Sequence, residues 1–232
     1  MTTSTRTTGR YLYRRDGDLM PVDEMFVVTR SPDATRVEVE RTAPGTTLSV
    51  DATWWGDRSL SFDIGWSAAD DSLAPRTDAR YEFRDGVLTS SRAFGDAAAT
   101  VDTVQVDEPL LVFPLMRVFS GRIVAAIAAG PADGSLVLVP DIRDPSDVDG
   151  WLRPLVDRRR ALAAGDDFVV VDGEPRAARV FDYLGGSYEA AATAYVDGSG
   201  LLLRYTWDQP GVGDWDVRVA EIVGPWPEPA DW

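Results

Sequence analysis

Apolar and polar residues alternate along most of this chain. Val37 and Val39 alternate with Arg36, Glu38 and Glu40, and Leu48, Val50, Ala52 and Trp54 alternate with Thr47, Ser49, Asp51 and Thr53. Leu60, Phe62, Ile64 and Trp66 alternate with Ser59, Ser61, Asp63 and Gly65, and Tyr81 and Phe83 with Arg80, Glu82 and Arg84. A period of two with one apolar face predicts antiparallel strands laid over a core. The pattern Leu48-Ser49-Val50-Asp51 with Trp54 returns as Leu60-Ser61-Phe62-Asp63 with Trp66. That spacing is one strand plus one turn, so it predicts a meander with both tryptophans on the apolar face. Asp16-Gly17, Asp85-Gly86, Asp172-Gly173 and Asp197-Gly198-Ser199-Gly200 are hairpin turn signals between these runs.

One stretch breaks the alternation. Leu115, Val118, Phe119, Arg122, Ile123, Ala126 and Ile127 fall near helical spacing and end at Gly130-Pro131, which predicts a helix over 114–129. Leu136 to Val139 reads as a buried strand, and 143–150 as a loop rich in Asp and Pro. The last third returns to strands, including Ala178–Leu184, Tyr188–Val196 and Leu201–Trp207. The expected fold is mainly β: a single-domain antiparallel β-barrel or strongly curved half-barrel, calycin-like or lipoprotein-carrier-like, with one central or capping helix. Residues 1–9 read as a disordered tail, 10–224 as the domain, and 225–232 as a Pro/Trp-rich C-terminal tail.

The segment Val171-Asp172-Gly173-Glu174-Pro175-Arg176-Ala177-Ala178-Arg179-Val180, with Ala194-Tyr195-Val196-Asp197-Gly198-Ser199-Gly200-Leu201-Leu202, resembles the late strands of bacterial lipoprotein-carrier-like proteins. The resemblance covers about a quarter of the chain. It implies a strongly curved antiparallel sheet around helices, with acyl chains held in an apolar concavity. The sequence departs from that family in showing no export signal in its first residues, which puts an envelope-trafficking role in doubt but not a ligand-holding curved sheet. The Gly-x-Trp signature of lipocalins is absent near the first strand.

Composition narrows the chemistry. The 232 residues contain no Lys, His, Cys or Asn. Thiolate and imidazole catalysis, Schiff bases, disulfides and the common zinc sites are therefore closed to this chain. Acid–base work falls to Asp, Glu, Tyr, Arg or water, and neither a cofactor nor a metal is expected. Arginine supplies all 23 basic residues against 38 acidic ones, a net charge of −15. That balance argues against nucleic acid and against anionic membranes as partners. No apolar run reaches a membrane span, so the expected location is cytoplasmic.

Candidate residues follow from the pattern. Eight tryptophans and seven tyrosines are a large aromatic supply for so small a chain, suited to packing a core or lining a pocket. Trp54, Trp66, Tyr188, Tyr195, Tyr205 and Trp207 are candidate ligand-binding residues. Asp182 is in phase with Ala178, Val180 and Leu184, which would desolvate its carboxyl. With Tyr183 and Glu189 it forms the candidate catalytic set. Ala190, Ala192 and Ala194 leave room on one face for a helix or a ligand. Arg158-Arg159-Arg160 reads as a solvated edge or an anion site. The expected function is binding of a large apolar small molecule inside the barrel. Two forms of it are open: a cofactor-independent cyclase or isomerase (of the pericyclase or Diels–Alderase type) in specialised metabolism, and a non-catalytic lipid or polyketide carrier. The one macromolecular partner admitted is a second copy, as a homodimer.

Overall fold

The computed structural model describes residues 4–55, 59–69, 76–105, 110–144, 146–185 and 188–225; the side chains of Ser59 and of residues 188–191 are not described. The first eight strands are β1 (Thr5–Arg15), β2 (Asp18–Arg30), β3 (Thr35–Ala43), β4 (Thr46–Trp55), β5 (Ser59–Ala68), β6 (Thr77–Arg84), β7 (Val87–Phe94) and β8 (Thr100–Gln105). Then come β9 (Leu110–Val112), the helix α1 (Arg117–Ala129), and β10 (Ser135–Pro140). The chain closes with β11 (Pro154–Val171), β12 (Glu174–Gly185), β13 (Tyr188–Val196), β14 (Leu202–Gln209) and β15 (Gly213–Val223).

All fifteen strands form one sheet, in the order β8-β7-β6-β5-β4-β3-β2-β1-β15-β14-β13-β12-β11-β10-β9. Two meanders are therefore joined at the seam between the first and last strands, where Tyr13 pairs with Val217 and Tyr11 with Val219. The two ends of the order, β8 and β9, do not pair with each other, so the sheet curls without closing into a barrel. Pairing is antiparallel except between β9 and β10. The mainly-β, curved single sheet with one helix is the fold that the alternation predicts. The two repeated segments pair as β4 and β5, with Leu48 opposite Trp66 and Trp54 opposite Leu60 on the inner face.

Two boundaries differ from the sequence reading. Residues 5–9, expected in a disordered tail, belong to β1, where Thr8 pairs with both Val27 and Val223. Threonine-rich sequence lacks apolar alternation, but β-branched residues suit a paired strand. The helix starts at Arg117 rather than at 114, because Leu115 adopts a left-handed backbone (φ 64°) that cannot continue a helix. Its C-terminal boundary at Gly130 is as expected. Of the proposed C-terminal tail, 226–232 lie outside the described residues.

Among the described residues, a helix and a loop pack onto the concave face. Helix α1 packs against β9, β11, β12, β13 and β14. Ala192 and Ala194, wholly buried on β13, give it room. Trp54 meets helix residue Phe119 at a ring distance of 5.5 Å. The loop before β11 covers the other half: Trp151 packs edge-on to Trp66 at 5.4 Å, and Arg92 donates to the Trp151 carbonyl at 2.9 Å. Tyr11 donates to the Leu202 carbonyl at 2.8 Å and ties the two halves together.

Gly121 marks the closest approach. A Cβ at this position would overlap the backbone of Gly200 and Leu202 at the start of β14. Because backbone cannot rotate away, Gly121→Ala is expected to destabilise the protein by about 1–3 kcal/mol. Urea unfolding measures this, and an unchanged midpoint would show that the helix does not sit so close.

Candidate functional site

The site is organised by a carboxyl group that periodicity places in the core. Glu24 lies on β2 in phase with Phe26 and Val28, and it is fully buried. The Tyr13 hydroxyl donates to its Oε2 at 2.6 Å, and the Arg117 backbone N–H donates to its Oε1 at 2.6 Å. Arg41 Nη1 lies 4.0 Å from Oε2. The first turn of α1 contains no acidic residue, and its N-cap, Met116, offers no side-chain acceptor. Glu24 therefore caps the helix from a distant strand, supplying an acceptor to an orphan N–H and negative charge to the positive end of the helix dipole. Burial and then Glu24 push the Tyr13 phenol well above its ordinary pKa, so it stays a hydrogen-bond donor.

Anchoring Arg117 in this way fixes its side chain. The guanidinium sits 4.8 Å from the Tyr205 ring and 5.0 Å from Trp207, within cation–π range of both. Trp207 in turn stacks on Trp215 at 5.4 Å, with the planes 4° apart. From β11, Arg159 donates to the Tyr183 hydroxyl and approaches Asp157 at 3.7 Å. The three consecutive arginines split by strand alternation: Arg159 turns inward, while Arg158 and Arg160 are exposed.

These groups border a groove of about 660 Å³ at the rim of the sheet. Its apolar lining includes Phe113, Leu115, Val139, Ile142, Val156 and Trp207. Arg41, Arg117, Arg143 and Arg159 bring positive charge to it. Arg143 bonds Asp141, and that bond holds the Asp141 carboxyl below its usual range. A niche of about 30 Å³ shares Phe113, Arg117 and Arg159 with the groove and is otherwise lined by Ser120, Ile123, Val124, Tyr183 and Tyr205.

A wider hollow of about 880 Å³ lies on the opposite, outer face of β1–β7. Its cross-strand rows are acidic: Glu38 faces Asp51, and Asp51 faces Asp63. Arg36 pairs with Asp51 and Glu38, and Arg80 lies 3.6 Å from Asp63. Burial raises the Asp63 pKa, opposed by Arg80 and reinforced by Asp51 and Glu82. Ion pairs run across this sheet face, with Met25 and Val27 among its apolar lining. Among the described residues no cluster of acidic side chains is arranged to hold a metal.

The candidate residues divide. Tyr183, Tyr205 and Trp207 come together around Arg117 and Arg159. Trp54 and Trp66 are inner-face packing residues, against Phe119 and Trp151. Tyr195 is on the outer face, under the Arg204 guanidinium at 5.2 Å. Asp182 also faces outward, opposite Thr193 and Leu162, while its neighbours Phe181 and Tyr183 face inward opposite Ala194 and Ala192. The segment offers two apolar phases, and the one holding the aromatic rings takes the core because rings bury more area. Asp182 and Tyr183 thus do not share a site. Tyr188 and Glu189 lie on β13, but their side chains are outside the described residues. The alternation reading passed over Glu24, Arg41, Arg117 and Ser120, and singled out Arg159 only as part of the run Arg158-Arg159-Arg160. For Glu24 the signal was present, in its phase with Phe26 and Val28.

No family model and no curated protein matches the chain. Among solved structures it is similar to a β-barrel-like protein of domain of unknown function DUF1849 from Brucella abortus, at a TM-score of 0.49 and 9% identity, covering 97% of this chain and 100% of that one. It is also similar to a DUF1329 family protein from Desulfovibrio piger ATCC 29098, at a TM-score of 0.30 and 9% identity, covering 97% and 86%. The fold class, a curled and open β-sheet wrapped on a helix, rests on the sheet of this chain itself. Among the described residues no helix is long and apolar enough to cross a membrane.

Two substitutions probe this geometry. Tyr13→Phe removes one of the donors to buried Glu24 and is expected to cost about 1–3 kcal/mol in denaturant unfolding; full stability would remove Glu24 from its anchoring role. Asp63 has a raised folded-state pKa, so its favourable contribution is present below its unfolded pKa and is lost as pH rises through the folded value. Asp63→Asn should therefore be more stable than the parent at neutral pH, by about 0.5 kcal/mol at this exposed position. The advantage should vanish in acid. A pH series of melting temperatures reads it, and an advantage that grows in acid would contradict the assignment.

Proposed function

We propose that the protein binds a small amphipathic molecule in the rim groove, as a carrier or sequestering protein rather than an enzyme. The observation that supports this is the groove itself: about 660 Å³ of open volume lined by apolar side chains together with four arginines and three aspartates. Its size falls in the range of ligand pockets, and a few charged groups among apolar ones are how such pockets orient a guest. Ile142, Leu155 and Val156 line it and are exposed, which leaves apolar surface in water unless something covers it. The cyclase reading is not favoured, because Asp182 and Tyr183 face opposite sides of the sheet, and two of the three acids lining the groove, Asp141 and Asp157, are engaged with Arg143 and Arg159, leaving Asp208.

The test is titration with a neutral apolar fluorophore, N-phenyl-1-naphthylamine. One probe per chain should bind. Val156→Asp, which puts a charge on the groove wall at an exposed position, should weaken binding about tenfold. Lack of saturable binding, or equal affinity in the variant, would overturn the reading.

A further inference from the structure

Two buried donors beside the groove have no acceptor among the described residues. Ser120 is 6% exposed, and its hydroxyl makes no hydrogen bond, not even back to the preceding helical turn. Arg159 has a side chain 12% exposed, and its Nε also makes no hydrogen bond; Asp157 at 3.7 Å is beyond that range. Both residues line the niche of about 30 Å³, with Arg117, Tyr183 and Tyr205 around it. Buried donors are nearly always paired in folded proteins, so two on one small cavity point to an occupant that accepts.

Resting on the binding function above, we propose that the niche seats a carboxylate and that the ligand is a long-chain carboxylate with its tail along the apolar groove. The niche is small, about 30 Å³, and a carboxylate brings one oxygen to each of its two open donors. A phosphate monoester carries three free oxygens, one more than the two open donors. A carboxylate only accepts, and every polar group assigned here donates or is cationic: the Ser120 hydroxyl, Arg159 Nε and the Arg117 guanidinium. The planar guanidinium fork favours a carboxylate over a point charge. A net charge of −15 repels an anion from most of this surface, so the arginines of the niche give the ligand one place to dock.

The test compares dodecanoate, dodecanol and dodecyl phosphate by displacement of bound N-phenyl-1-naphthylamine. Dodecanoate should bind at least tenfold more tightly than dodecanol and more tightly than dodecyl phosphate. That preference should fall severalfold in Ser120→Ala and in Arg159→Gln. Ser120→Ala removes an unpaired buried hydroxyl, so the ligand-free variant should melt no lower than the parent, which separates lost binding from lost folding. Dodecanol binding as tightly as dodecanoate would overturn the carboxylate seat, leaving the groove reading in place and the niche to ordered water. Tighter binding of dodecyl phosphate would overturn the choice of carboxylate. Failure of all three to displace the fluorophore, with the fluorophore itself bound, would overturn the inference as well; failure of the fluorophore to bind is the separate failure of the groove.

Discussion

A single buried carboxyl group sets the relation between the sheet and its helix. Glu24 sits in the core of the N-terminal meander and caps a helix more than ninety residues further along the chain. A helix start needs acceptors for its first N–H groups, and this one has none of its own. A buried carboxyl group needs donors, which Tyr13 and the helix provide, with the Arg41 guanidinium 4.0 Å away. Each solves the other's problem, and neither is satisfied if the helix shifts. Arg117 heads the helix, and its guanidinium lies over Tyr205 and Trp207.

The location of the groove follows from how the sheet is filled. The seam between β1 and β15 joins two meanders, while β8 and β9 remain apart. The interior is closed by α1 and by the loop carrying Trp151, with Gly121 and the Ala192–Ala194 face permitting close approach. Among the described residues, the groove of about 660 Å³ opens where the helix begins. The proposed ligand would thus sit at the edge of the helix plug rather than inside a barrel.

Much of the fold was legible because two-residue alternation reports directly on which face is buried. The meander of β4 and β5, the helix with its stop at Gly130, and the inner placement of Trp54, Trp66, Tyr205 and Trp207 were all readable in this way. Two kinds of feature were not. Where both phases of a strand are apolar, as around Asp182, alternation cannot select the inner one, and the larger rings decide. Contacts between distant elements leave no local pattern either: Glu24 meets Arg117, and Ser120 and Arg159 come to line one niche, only through the topology. The N-terminal threonines were misjudged because composition alone does not reveal a strand that is paired on both sides.

The central claim is that anchoring α1 through Glu24 creates an arginine-headed, apolar-walled seat for a ligand at the rim. A crystal structure with 12-bromododecanoate tests it most directly, since the anomalous signal of bromine locates the tail without ambiguity. The account predicts bromine along the wall formed by Val139, Ile142 and Val156, with the carboxylate against Ser120 and Arg159 and the Glu24–Arg117 bond intact. Bromine on the acidic outer face of β1–β7, or a carboxylate pointing to solvent away from both arginines, would contradict it.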